Sequence, residues 1–322
     1  MQPGENDLHV DALLTNMSIA YINEMYIASQ IFPEVRVQNR SDIVPRYDKS
    51  HWFRNEAVQL SPTEPPPVGG YTVDTTMTYF CKEYGIGHLI PDQTRANTDS
   101  PFNPDRDGMA WLMDRLFMAH EKAWLADFWA TSKWTTDKVG GTDFTKWDVY
   151  ATSTPVVDLR TWKRNMRHLI ARNPNTLVLG DTTWDVLADH PVLLDRVKYG
   201  SNTSSPAVVN KNLVSQLLEL DRILVGTSIS TASPEGTAEA SVTYTADWGD
   251  HGLLLFSPSA PSLMTPAAGY TFVWQTFFGG PQYIRRRREP LGEKADLLEA
   301  FKFWDMKMTA ADAGLFISDT EG

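Results

Sequence analysis

The alternation of apolar and polar positions divides the chain into helices and strands in mixed order. Leu13, Leu14, Met17, Ala20, Tyr21, Met25 and Ala28 recur largely at helical spacing and predict a helix over residues 16–30, stopped by Pro33. Val35-Arg36-Val37-Gln38 alternates like the start of a strand. Residues 44–60 read as extended and aromatic-bearing, with Tyr47, His51, Trp52 and Phe53. Residues 61–70, holding Pro62, Pro65, Pro66, Pro67, Gly69 and Gly70, form a stiff, turn-rich tip. Residues 71–82 return as a strand with Tyr71, Val73, Thr75, Met77, Tyr79 and Cys81 on one face and mostly polar groups on the other. The pattern therefore predicts a long β-hairpin arm over residues 41–82 with a single side to bury. Such a ribbon is marginal alone in water, so it needs a surface to lie on, in its own domain or a neighbouring subunit.

A linker over residues 91–104 leads to the strongest periodic segment. Met109, Leu112, Met113, Leu116, Phe117, His120, Trp124 and Phe128 make one stripe and predict a helix over residues 107–131. The middle of the chain reads as α/β. It has an amphipathic helix over 158–172, a buried strand over 176–179, a helix over 182–199 broken at Pro191, a short helix over 213–220 and a strand over 222–225. Further strands fit 240–245, 252–257 and 270–277. The tail carries a strand over 283–288, a helical or turn segment over 293–299, a strand-like run over 301–309 and a last apolar run over 313–318.

Composition narrows the classes of function. At 322 residues, 42% hydrophobic and 21% charged, the chain can bury a substantial core in one or two domains. No stretch approaches the roughly eighteen apolar residues of a membrane span, and residues 1–7 lack the basic-then-apolar order of a signal peptide. The one cysteine, Cys81, excludes an internal disulfide framework and suits a reducing compartment. A net charge of −11 argues against a protein whose main task is gripping nucleic acid, because that grip comes from Lys and Arg neutralising phosphates.

Several fragments begin like catalytic or metal motifs and stop short. His120-Glu121-Lys122-Ala123 opens like a zincin helix, but Trp124 stands where the second His belongs. Asn103-Pro104-Asp105-Arg106-Asp107-Gly108 partly resembles a calcium loop, yet its residues are also those expected to start a helix. Gly226-Thr227-Ser228-Ile229-Ser230 lacks the closing Gly of a nucleophile elbow. Gly85-Ile86-Gly87 stands alone, without the rest of a dinucleotide fingerprint, and no Walker phosphate loop is present. The chain is accordingly expected to be no enzyme, with no cofactor and no metal. Arg285-Arg286-Arg287-Arg288 is the conspicuous charge run. In a strand two of these arginines point each way, which suits carboxylates on adjacent chains better than one phosphate-binding face. The rival chemistry is an aromatic-rich carbohydrate hydrolase built on the eleven tryptophans and a carboxylate pair, although Trp111, Trp124, Trp162 and Trp184 fall in predicted helices, where core packing is the commoner role.

The order of elements resembles the Hong Kong 97-type (HK97-type) major capsid fold of tailed bacteriophages. So do two local stretches: Ile31-Phe32-Pro33-Glu34-Val35-Arg36-Val37, and the run from Asp181 through Leu187-Ala188-Asp189-His190-Pro191 to Asp195-Arg196-Val197-Lys198-Tyr199-Gly200. The resemblance implies an α+β chain divided into an N-arm over 1–37, an E-loop over 38–84, a P-domain with its spine helix over 85–157, an A-domain over 158–275 and closing P-domain strands over 276–322. It further implies pentamers and hexamers of an icosahedral shell around phage double-stranded DNA, held without sequence-specific binding, in a virion assembled in the host cytoplasm. An encapsulin-type nanocompartment is the alternative shell. Trp52, Phe53, Arg54, Tyr71 and Val73 of the arm, with Arg285, Arg286, Arg287 and Arg288, are the expected inter-subunit contacts. Fewer than forty residues precede the arm, so scaffolding is expected from a separate protein; portal and decoration proteins are the other expected partners, and no membrane is. The family prototype crosslinks an arm Lys to a P-domain Asn. Lys49 could serve as the first, but no Asn follows Asn212, so no covalent crosslink is expected.

Overall fold

A computed structural model of the chain describes residues 26–98, 103–200, 209–234, 236–262, 264–275, 280–288 and 294–322. Residues 16–25 of the expected first helix lie outside them, as do residues 276–277 of an expected strand; the helix is described only as the short turn α1 (Ala28–Ile31). Strand β1 (Glu34–Val37) follows Pro33.

The arm departs from expectation. It is an excursion of the predicted extent, but its strands pair only near the root, where β2 (Ser41–Ile43) meets β5 (Thr78–Phe80) and β3 (Arg46–Tyr47) meets β4 (Val73–Asp74). Between them, α2 (Lys49–Trp52) forms one helical turn, capped by Asp48, whose side chain accepts from the Ser50 amide at 2.9 Å. Residues 53–72 hold no strand. Pro62, Pro65, Pro66 and Pro67 supply no backbone N–H, so the tip cannot sustain a ladder.

The returning chain runs on into β6 (Lys82–Pro91), which the sequence pattern does not reveal. Next come α3 (Asp92–Ala96) and the long helix α4 (Pro104–Phe128), 25 residues or about 37 Å. It starts three residues earlier than its apolar stripe suggests. Asn103 caps it, accepting from the amides of Asp105 and Arg106 at 3.1 and 3.2 Å, while Pro104 takes the first helical position and Asp105 and Asp107 the first turn.

Beyond β7 (Thr136–Val139), the α/β module consists of α5 (Pro155–Ile170), β8 (Thr176–Gly180), α6 (Asp181–Ala188), α7 (Pro191–Gly200), α8 (Lys211–Leu218) and β9 (Arg222–Gly226). A small antiparallel hairpin, β10 (Ile229–Thr231) with β11 (Tyr244–Ala246), replaces the single strand expected over 240–245. Then follow β12 (Gly252–Leu255), β13 (Gly269–Trp274), β14 (Gln282–Arg288), β15 (Ala295–Met308) and β16 (Gly314–Ser318).

Two five-stranded sheets organise these elements. The first, ordered β7-β16-β12-β8-β9, is fully buried along β8, β12 and β16, whose near-continuous apolar runs mark strands covered on both faces. Gly180 is obligatory in it: a Cβ there would stand 1.8 Å from the Gly249 carbonyl oxygen. The second sheet is built on β15, which pairs with β6 along one side and with β14 and then β13 along the other, with β1 parallel to β13 at the edge. Residue 293 of the helical or turn segment expected over 293–299 lies outside the described residues, and residues 295–299 are instead part of a 14-residue strand. Its acidic residues lie opposite arginines in the ladder: Asp296 is in register with Arg288 and Glu299 with Arg285. Three strands also sit across the expected segment boundaries. β7 and β16 belong to the α/β sheet, and β13 to the sheet of β15.

Helix α4 packs on β6 and β15, and the main core gathers where its last turns meet α1 and the α/β sheet. Phe32 lies edge-on to Trp124 and Phe128 at 5.7 and 5.0 Å, and Trp248 lies 5.5 Å from Trp124. Tyr84 stacks on Trp304 at 3.8 Å. No helix among the described residues is long and apolar enough to cross a membrane.

Candidate assembly surfaces

The arm has a buried root and an exposed, aromatic outer part. Tyr79 and Cys81, at the root of the predicted apolar face, are buried, whereas farther out Val73 and Tyr71 are 40% and 63% exposed. Tyr47, Trp52 and Tyr71 form a ring cluster with centroids 5.8–5.9 Å apart, and Trp52 and Phe53 stay 48% and 60% exposed. Arg54 stands beside Glu56 at 4.0 Å. The expected contact residues Trp52 and Tyr71 are thus brought together, with Val73 in the strand paired to Tyr47. The root is tied to the body by an ion pair between Lys49 and Asp312 and by the Phe80 amide, which donates to Asp305 at 2.8 Å. Within the arm, Arg46 meets Asp74 at 2.5 Å; hydrogen bonds from Thr76, joined by Arg46, hold the Asp74 carboxyl down at about 2. An open cavity lined by His51, Arg54, Glu56, Val58 and Val68 lies under the tip.

The four arginines of β14 alternate as expected, but their carboxylate partners come from the same chain. Arg285 and Arg287 both reach Glu299, at 2.7 and 3.4 Å. On the opposite face Arg286 reaches Asp105 at 2.9 Å, and Arg288 pairs with Asp92 and with Asp296 at 3.1 Å. Arg95 of α3 joins the second set through Asp105 at 2.9 Å and Asp296 at 2.8 Å. The hydrogen bond from Arg288 lowers the Asp92 carboxyl. At Asp296 burial works against ionisation, but hydrogen bonds from Arg288 and Arg95 outweigh it and the carboxyl falls below its ordinary value. Solvent screens single pairs with this exposure, so the network counts chiefly for geometry. It locks the start of α4 to the β14–β15 hairpin. The arginine run announced it, but Asp92, Asp105, Asp296 and Glu299 are too scattered in sequence to be matched to it beforehand.

The fragments of catalytic and metal motifs have structural roles. His120 is buried with its edge toward Trp304, and burial, assisted by Lys302, holds its imidazole well below its ordinary pKa. Ser228 faces Glu121 and Trp248 in the interior. A serine–histidine contact that sequence reading did not single out joins Ser153 and His190 at 2.9 Å. There the His190 Nδ1 accepts the Val192 amide at 3.2 Å, which leaves the proton on Nε2 pointing at the serine. A base needs a free lone pair toward its nucleophile, so this tautomer does not activate Ser153. Both side chains are buried. Trp124, Trp129, Trp134, Trp147, Trp162, Trp248 and Trp304 are buried too, so most of the aromatic mass is core rather than the wall of a sugar cleft. Among the described residues Asp250, His251 and Asp319 bring possible metal-ligand atoms within 4.8 Å of one another, an arrangement that exposed acidic groups commonly adopt without an ion.

No protein-family model matches the chain. The sequence is 24% identical over 331 aligned positions to the major capsid protein of Burkholderia phage BcepMu, covering 97% of each protein. In three dimensions it is similar to a phage-related protein from Bordetella bronchiseptica RB50, with a TM-score of 0.72 at 18% identity over 97% of this chain and 98% of the other. It is similar to the capsid of cyanophage P-SCSP1u at a TM-score of 0.61 and 11% identity, over 92% and 89%. The SrpI encapsulin of Synechococcus elongatus gives 0.51 at 8% identity, over 89% and 85%. The fold is that of the HK97-type capsid proteins.

Proposed function

We propose that this chain is the major capsid protein of a tailed bacteriophage, a structural subunit that assembles with copies of itself into the shell of a virion. The observation that carries the reading is end-to-end similarity: the alignment with the BcepMu major capsid protein covers 97% of both chains. The fold agrees with it but does not separate phage shells from encapsulins, since both kinds of structure share it. The phage relative found by sequence is what favours a DNA-filled head over a cargo compartment.

The finer reading rests on the resemblance to the HK97-type fold, and the exposed arm supports it. Pentamers and hexamers form with the exposed arm of one subunit lying across its neighbour, where Trp52, Phe53, Tyr71 and Val73 lose their contact with water. The β14 arginines stiffen the P-domain from within the subunit, and their exposed parts meet adjoining subunits at the rim. Segments 1–37, 38–84, 85–157, 158–275 and 276–322 remain the working division, with β7, β13 and β16 as strands exchanged between the two sheets. A separate scaffolding protein, a portal and a decoration protein complete assembly in the host cytoplasm. The net charge of −11 suits a wall that encloses DNA without holding it.

Particles isolated from producing cells test both shell readings at once. Nuclease-protected double-stranded DNA is expected inside them, and a co-purifying enzyme without DNA would instead establish an encapsulin. Lys49 is already engaged by Asp312, and no Asn follows Asn212. Boiled in detergent, the same particles should therefore give one band near 36.2 kDa. A ladder of linked subunits would show a covalent bond where packing and charge are held to suffice.

A further inference from the structure

Helix α4 holds a histidine among groups that donate hydrogen bonds and accept none. His120 is 2% exposed, and its Nε2 has no hydrogen-bond partner among the described residues. Residues three apart share a helix face and residues two apart share a strand face, so Phe117 and His120 of α4 meet Lys302 and Trp304 of β15. The imidazole stands edge-on to the Trp304 ring at 5.3 Å, and the Lys302 Nζ lies 5.9 Å from that ring and 5.6 Å from the ring of Phe117. The Trp304 indole nitrogen is itself buried without a partner among the described residues. An indole N–H and an ammonium can only donate. The surroundings therefore suit a neutral imidazole: they offer no acceptor to a second ring N–H, and they already hold one positive charge.

The carboxylates nearby are engaged elsewhere. Glu34 of β1 lies 3.7 Å from the buried Lys302. Asp305 points to the opposite face of the sheet, where it accepts the Phe80 amide. On α4 itself Glu121 turns away to accept from the Ala28 amide at 2.8 Å and the Trp248 indole at 2.9 Å, Lys122 pairs with Asp247 at 2.5 Å, and Asp127 is exposed. Tyr84 of β6 stacks on the Trp304 ring and is neutral in acid, while Lys82 at the end of β6 is exposed and adds only positive charge. Helix α1 carries no titratable side chain, and Tyr26 before it donates to Asp114. We propose that His120, set against Lys302, is an acid-sensitive lock between α4 and the sheet of β15: the seam is closed while the imidazole is neutral, and uptake of one proton forces the two elements apart, because an imidazolium and an ammonium cannot share a dry interior. The inference concerns the single chain and stands whether or not the shell reading does.

The sign follows from where each state takes its proton. An unfolded chain protonates its histidines near pH 6.5, roughly, whereas the folded seam keeps His120 neutral well below that. This group therefore leaves stability unchanged above about pH 6.5, and each unit of pH below it shifts the equilibrium toward unfolding by about tenfold, until the folded seam itself is protonated. Denaturant unfolding of the full-length subunit at about pH 7.5 and about pH 5.5 compares the unaltered chain with His120→Phe, which keeps an aromatic ring and cannot be charged. The unaltered chain should lose about tenfold more than the variant, since the other titrating groups are common to both; equal losses would overturn the lock. Lys302→Met keeps the length of the lysine without its charge. It should shrink the loss, because His120 then takes its proton at a higher pH, and an undiminished loss would remove Lys302 and the lock with it. Amide exchange in the folded chain, corrected for its intrinsic pH dependence, should speed up on acidification over residues 117–124 of α4 and not in β8; equal changes in both would contradict a seam that opens by itself. Should either variant fail to fold, the unaltered chain decides: the His120 ring signal in a nuclear magnetic resonance titration should stay that of a neutral imidazole down to about pH 5.5, and a midpoint near about 6.5 would overturn the proposal.

Discussion

Replacing residues 54–70 with a short Gly-Ser linker should leave a folded subunit that no longer closes into particles. The residues removed include Val58, Leu60 and Val68, at 62%, 40% and 98% exposure, which lend little to the subunit's own core. The paired root, β2 with β5 and β3 with β4, stays in place, as do the Lys49–Asp312 contact and the Phe80 amide bond to Asp305. Surface changes of this kind usually shift stability by less than about 0.5 kcal/mol per residue. Each large apolar side chain buried against a neighbour stabilises the contact by about 1.5–3 kcal/mol, and in a closed shell the loss recurs at every subunit. The expected result is an unchanged thermal transition for the isolated subunit together with the disappearance of closed particles in the electron microscope. Particles of normal yield and size would show that residues 54–70 of the arm are not needed for closure.

The second large effect lies inside the subunit. Trp124 is completely buried, with the rings of Phe32, Phe128, Trp129 and Trp248 within 6.0 Å. It is the point where α1, α4 and the α/β module meet. Trp124→Ala removes the largest kind of side chain from a packed site and should cost about 3–5 kcal/mol in denaturant unfolding of the subunit. That is a large fraction of the roughly 5–15 kcal/mol by which domains are stable. Trp111 lies on the same helix but is 43% exposed, so Trp111→Ala should cost much less. Equal losses at the two positions would mean that Trp124 is not the junction described.

How much of this could be read beforehand varies with the physical origin of each element. Helix α4 was legible to within three residues at each end, because a stripe at helical spacing and the Asn103-Pro104-Asp105 start are local signals. The buried strand β8 was legible for the same reason. β6 was not, since Gly85, Gly87 and His88 interrupt its pattern. Gly85 is there because β15 crosses close by: a Cβ would come within 2.6 Å of the Phe301 ring. That requirement belongs to the partner strand and leaves no trace in the local sequence. The arm was legible as an excursion with one apolar side, but its prolines mark more than a tip: they exclude pairing through most of its length. Among the site residues, the arm aromatics are exposed because nothing among the described residues covers them. The partners of Arg285–Arg288 and of Glu121 depend on contacts up to 196 and 127 positions apart, which no periodicity reports.

The central claim, that this chain builds a closed shell from copies of itself, is tested most directly by size-exclusion chromatography of the purified protein under assembly conditions, with electron microscopy of the leading peak. The account predicts closed particles tens of nanometres across. A discrete species near 36.2 kDa under those same conditions, with no particles on the grid, would contradict it.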